Sequence, residues 1–183
     1  MGLVQGQQDV SYGSGSTFEG GRGVYAIEIK EFAYKERSTA KTVGAYQITA
    51  EIYDSELAEN EKFIGQPVIG FINNPSAEYS NEQWAQNSEK AVADWATNAV
   101  TKDGRSVQDI VFEQCKNADS WFDEPVRNVM ALHMPGRIVV TYLKERRSQD
   151  GESVFPELTS TLKPFVPGMF NVDPEGAQAA NQW

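Results

Sequence analysis

One cysteine, Cys115, and one histidine, His133, occur in the 183 residues. A lone thiol excludes an intramolecular disulfide, and no zinc-ligand spacing can be drawn from it. Cys115 reads as a small buried apolar residue. His133 sits in an apolar run, NVMALHM, and no nucleophile–base triad can be built around it. The chain has no GxxxxGK[ST] loop and no GxGxxG between a strand and a helix. The stretch GSGSTFEGG is rich in glycine but precedes the first strand, the wrong context for cradling a phosphate. The carboxylates at 51–61 crowd into one hydrophilic run, which reads as a solvated loop and not as a catalytic pair or a hard-cation site. These absences predict a protein that is not an enzyme and carries no cofactor and no metal. Long apolar runs are missing too. No segment approaches the roughly 18 apolar residues of a membrane span, and the N-terminus lacks the apolar core of a signal peptide. The opening MGLVQG has Gly6 where a myristoylation site wants Ser or Thr. A soluble, cytoplasmic protein with no membrane partner is the expectation. Positive charge is scarce: 16 Lys and Arg stand against 26 Asp and Glu, a net charge of −10. The surface as a whole therefore repels polyanions, and any nucleic-acid site must be a local basic patch.

What is present is enough for one core. With 40% hydrophobic and 11% aromatic residues, the chain suits a single domain with appendages. Residues 1–22, rich in Gly, Ser and Gln, read as a flexible arm. From Val24 the chain alternates, with Tyr25, Ile27 and Ile29 of one parity and Lys30, Phe32 and Tyr34 of the other. After the turn ERSTAKT the pattern returns: Tyr46, Ile48, Ala50 and Ile52 face one way, and Gln47, Thr49, Glu51 and Tyr53 the other. The two segments form a hairpin. DSELAENEK at 54–62 is an acidic connection, and FIGQPVIGFI at 63–72 a third strand with an edge or bulge at Pro67.

A helix follows. Ser80 and Gln83 make a capping box, and Trp84, Ser88, Ala91, Val92, Trp95, Ala96 and Ala99 share one face. SVQDIVFEQC at 106–115 is a shorter helix capped by Ser106. Trp121 and Phe122 lie in a loop, as a lid over the core or a partner contact. The last third predicts strands at 128–134, 136–147 and 154–165, and an irregular tail over 168–183. The expected fold is mainly β with helices (α+β): a five-stranded, OB-like Greek-key barrel over 23–167, with a helical insertion between strands 3 and 4.

Binding of unpaired nucleic acid needs cations along the phosphates and exposed flat rings for the bases. Lys30, Phe32, Tyr34, Lys35, Arg37 and Lys41 cluster in the first hairpin, and Tyr142, Lys144, Arg146 and Arg147 at the end of the fourth strand. Between Arg137 and Arg147 the local balance is basic, opposite in sign to the whole chain. These ten residues are the predicted DNA-binding set. A second reading of Phe32 and Tyr34 stays open: one inserted residue in the strand swaps its faces and sends both rings inward.

The segments "GVYAIEIKEFAYKE", "VGAYQITAEIYDS", "GRSVQDI", "GRIVVTYLKERR" and "LTSTLKPFVPG", in this order over residues 23–167, resemble the OB-fold single-stranded DNA-binding proteins of bacteriophages. That resemblance implies a coat for unpaired DNA in replication, recombination or repair, with no catalytic residue and no cofactor. It also implies a tail that docks on replication or recombination proteins through a terminal aromatic, here Trp183, and it is compatible with a homo-oligomer. The alternative is a virion structural protein, a shell or tail subunit that assembles through its N-terminal arm.

Overall fold

The computed structural model describes residues 2–8, 24–36, 41–76, 82–101 and 103–170. The chain is a mixed α+β fold. Five strands, β1 (Tyr25–Glu36), β2 (Thr42–Ser55), β3 (Pro67–Pro75), β4 (Ile138–Arg147) and β5 (Val154–Pro164), close a barrel in the order β1-β2-β3-β5-β4. All neighbours are antiparallel except β3 and β5, which meet in parallel at Ile69 and Glu157. Between β3 and β4 come α1 (Glu82–Asn98), α2 (Val107–Gln114) and α3 (Glu124–His133). The acidic connection after β2 winds into a 3-10 helix, Ala58–Phe63.

Alternation sets the inner wall of β2, where Tyr46, Ile48, Ala50 and Ile52 are buried while Glu51 and Tyr53 are exposed. The expected cap of α2 forms as read, with the Ser106 hydroxyl accepting from the Asp109 N–H and the Asp109 carboxylate accepting from the Ser106 N–H. Ser80, the expected cap of α1, lies outside the described residues, as do arm residues 9–23. The described part of the arm, residues 2–8, is docked on the helices. The Trp121 indole N–H donates to the Val4 carbonyl, the Gly6 N–H to Gln108, and the Gln7 N–H to Asp94.

One segment departs from its sequence reading. Residues 128–134, expected as a strand, belong to α3. Pro125 sits in the first turn, and Val126, Val129 and Met130 fall at helical spacing on the buried side. The apolar residues of NVMALHM satisfy both periods, and packing against the barrel end selects the helical one.

The decisive irregularity is in β1. Ile29 pairs with Ala50 and Glu31 with Thr49, so Lys30 is an extra residue in the ladder. Beyond this bulge the faces of β1 are exchanged. Phe32 becomes fully buried, its ring 5.3 Å from Tyr46 and 6.0 Å from Trp95 of α1. Tyr46 in turn donates its hydroxyl proton to the Trp121 carbonyl at 2.5 Å, and burial pushes its phenol far up from the ordinary value. Trp121 and Phe122 are buried, so their loop is the lid that closes this end of the barrel. The Glu89 carboxylate on α1 holds the lid by accepting from the Ser120 hydroxyl and, at 2.7 Å, from the Trp121 N–H. A second, smaller cluster lies on the outside of the barrel. Val24, Ala26 and Val140 are covered there by Ile138, Phe165, Met169 and Phe170, so the segment after β5 straps the outer wall.

Two measurements check this account. Phe32→Ala is expected to lower the unfolding free energy in urea by about 3–5 kcal/mol; a loss within the error of a surface substitution would mean the ring is not in the core. Burial raises the Glu89 carboxyl above its ordinary 4.5. The folded state then holds the Glu89 proton more tightly than the unfolded chain. The stability this contributes is fully present below pH 4.5 and is lost as pH rises through the folded value. The stability of the wild type relative to Glu89→Gln should therefore fall over that window and then level off.

Candidate nucleic-acid interface

The predicted DNA-binding residues do not assemble into one strip. Phe32 is a core residue and offers no stacking surface, a correction that follows from the bulge at Lys30. Tyr34 is half-buried and pinned from several sides. The Arg127 guanidinium lies 3.9 Å from its ring centre, the Asn74 side-chain amide donates to its hydroxyl at 3.0 Å, and Tyr46 and Phe122 meet it edge-on. Gly44 runs beneath the phenol so closely that a Cβ there would collide with it. Tyr34 thus spends its polar and π contacts inside the protein.

The cations are largely neutralised in place. Lys30 hydrogen-bonds Glu28, which is the main reason its ammonium is held above the ordinary value. Lys35 pairs with Glu31 at 3.0 Å, Lys144 with Glu157 at 3.7 Å and Arg147 with Glu145 at 3.0 Å. Lys41 and Arg146 are exposed. Tyr142 is 36% exposed, and alternation along β4 puts it on the outward side with Lys144 and Arg146. Arg37 and Trp183 lie outside the described residues. The two basic clusters also diverge. β1 and β4 pair antiparallel only from Tyr25–Thr141 to Glu28–Ile138. Lys30 and Lys35 extend beyond one end of that ladder, and Lys144, Arg146 and Arg147 beyond the other.

A different surface lies on the outside of β1, β2 and β3, at the end of β1 that carries Lys35. The register lines up Ala33 with Gln47 and Gln47 with Phe71. On one side of that row stand Lys35, Ala45 and Asn73, and on the other Glu31, Thr49 and Ile69. Phe71 is 39% exposed among these small and amide side chains. Tyr53, 48% exposed, stands on the same face of β2 toward its far end. It is itself an extra residue, since Ala26 pairs with Asp54 and Ile27 with Ile52. The face therefore has flat rings, hydrogen-bonding amides at Gln47 and Asn73, and little bulk between them. Its charge is mixed, with Glu51 and the Lys35–Glu31 pair at its edges. Phe71 was missed in the sequence reading although a signal existed. Val68 and Ile72 share the inward parity of β3, which leaves Phe71 outward.

Among the described residues no group of His, Cys, Asp and Glu could hold a metal ion, and no helix is long and apolar enough to cross a membrane. No family model matches the chain, and no curated protein matches it in sequence.

If Lys144 and Glu157 form only a solvent-screened pair, a double-mutant cycle to alanine should give a coupling below about 1 kcal/mol in urea unfolding. A larger coupling would mark the pair as a structural clamp across β4 and β5.

Proposed function

We propose that the protein binds unpaired DNA without strong sequence preference, across the outer face of β2 and β3, as a coat for phage DNA in replication, recombination or repair. The observation that carries this reading is Phe71, a ring 39% exposed beside the amides of Gln47 and Asn73. Supporting it is the connectivity: a closed ring of five strands in the order β1-β2-β3-β5-β4, with the helices between β3 and β4, is compatible with an OB-like barrel, a fold whose strand 2–3 face serves oligonucleotides. The exposed cations Lys41 and Arg146 lie near the β1–β2 and β4–β5 turns that would flank such a strand. With ion pairs neutralising Lys30, Lys35, Lys144 and Arg147, stacking supplies more of the affinity than phosphate contact does. The reading needs no catalytic residue and no cofactor.

A specific observation favours a second reading. The arm makes four hydrogen bonds to the helical layer, counting the Asn98 amide donating to the Gln7 carbonyl, and Gly6 fits where no side chain would. An arm held this way suits a virion subunit that docks its arm on a neighbour. Salt separates the two, since DNA binding weakens with ionic strength through counterion release and arm docking does not.

Phe71→Ala should weaken binding of a fluorescent oligothymidylate by roughly 5- to 150-fold in anisotropy titrations at low salt, the 1–3 kcal/mol of one stacked base. Unfolding should change little. No binding by the wild type at micromolar protein would sink the proposal.

A further inference from the structure

Behind Tyr53 the outer wall of the barrel opens into a cavity of about 530 Å³. It lies between the end of β2, the start of β4, the turn after α1 and the strap that follows β5, with Tyr53, Asp54, Val100, Arg137, Ile138 and Phe165 among its lining residues. The volume falls in the range of sites for small organic ligands.

Its chemistry is specific. The Tyr53 and Phe165 rings meet edge-on at 5.8 Å and make an aromatic wall. Tyr53 is there because it is the bulged residue of β2, and such bulges re-aim a side chain out of the ladder. Arg137 is held rigidly. Its Nε donates to the His133 carbonyl at 2.8 Å, and its Nη1 to the Ala99 and Arg105 carbonyls, both at 2.9 Å. Three of its five N–H groups are thereby used, and the two on Nη2 remain for a ligand. No carboxylate among the described residues pairs with this guanidinium. Burial weakens its hold on its proton, an effect that the Asp103 charge opposes and the Arg105 charge adds to. Asp54 supplies a carboxylate of which one oxygen accepts from the Ser55 N–H at 2.8 Å, leaving the other. The cavity thus combines a fixed cationic fork, an acceptor and an aromatic wall.

We propose that this cavity holds one nucleotide unit, its phosphate on Arg137, its base against Tyr53 and Phe165, and an exocyclic amino N–H of that base donated to Asp54. A guanidinium fork matches phosphate oxygens in bidentate geometry. A carboxylate acceptor favours guanine, cytosine or adenine, which carry an exocyclic amino group, over thymine, which carries none. Tyr53 borders both this site and the β2–β3 face, but Phe71, Gln47 and Asn73 do not line the cavity, so the inference does not rest on strand binding there. The unit can arrive as a free mononucleotide or as the phosphorylated end of a strand.

Calorimetric titration of the full chain with dGMP, dTMP and inorganic phosphate tests the proposal. The expected result is saturable dGMP binding, at least tenfold weaker dTMP binding, and weaker phosphate binding still. Phe165→Ala and Arg137→Gln should each weaken dGMP at least tenfold, and Asp54→Asn should erase the preference over dTMP. If Arg137→Gln fails to fold, the Phe165 and Asp54 variants carry the test alone. Phe71→Ala should leave dGMP binding unchanged, so loss of oligonucleotide binding with dGMP intact overturns only the function proposed for the β2–β3 face. A tenfold gain for a 5′-phosphorylated over an unphosphorylated oligonucleotide assigns the site to strand ends, and equal binding of the two assigns it to free nucleotide. Absence of dGMP binding at millimolar concentration, equal affinity for dTMP, or no effect of Phe165→Ala would overturn the inference.

Discussion

A single unpaired residue, Lys30, decides which way the second half of β1 faces. Side chains along a strand alternate strictly, so one inserted residue moves every later side chain to the other surface. Through it Phe32 and Tyr34 turn inward and meet Tyr46, Trp95 and Phe122. That aromatic cluster joins the barrel to the helical layer. α1 lies against it through Trp95, the lid through Trp121 and Phe122, and α3 through Arg127 over the Tyr34 ring. Had β1 continued without the extra residue, the two rings would stand in water and the barrel end would lack its packing partner.

A second bulge, at Tyr53 of β2, does the opposite and presents a ring to the outside. The two irregularities divide the aromatic residues of the hairpin between structure and surface. Inward rings stabilise the closed end, while outward rings, Tyr53 with Phe71 of β3, give the exterior its only large flat groups among the described residues of β2 and β3. The strap after β5 then walls off one side of Tyr53 and forms a cavity where an open sheet would otherwise lie. Arg137, anchored on three backbone carbonyls, lies on the far side of that cavity. The exposed rings and the enclosed cavity are thus both products of how the outer wall is interrupted.

Electrostatics follow the same division. A chain of net charge −10 carries few cations to spare, and most of those on the strands face a carboxylate two or four residues away or across the ladder. Counting Lys and Arg in a segment therefore overstates the field it makes. Lys144, read from the sequence as part of a basic run, meets Glu157 from a segment 13 residues later because β4 and β5 pair in that register.

The sequence by itself determined the elements whose pattern needs no partner. The alternation of β2, the Ser106 cap of α2, the apolar face of α1 around Trp95, and the burial of Cys115 all follow from local spacing and composition. The position of the helices between β3 and β4 was legible on the same grounds. The exchange of faces at Lys30, the helical form of 128–134, the pairing of each cation with its carboxylate and the closure of the cavity by the strap were decided by the tertiary structure alone. Each depends on which residues meet across a ladder or a packed layer. Periodicity along one strand carries no information about its neighbour, and a bulge is invisible until the partner strand fixes the register.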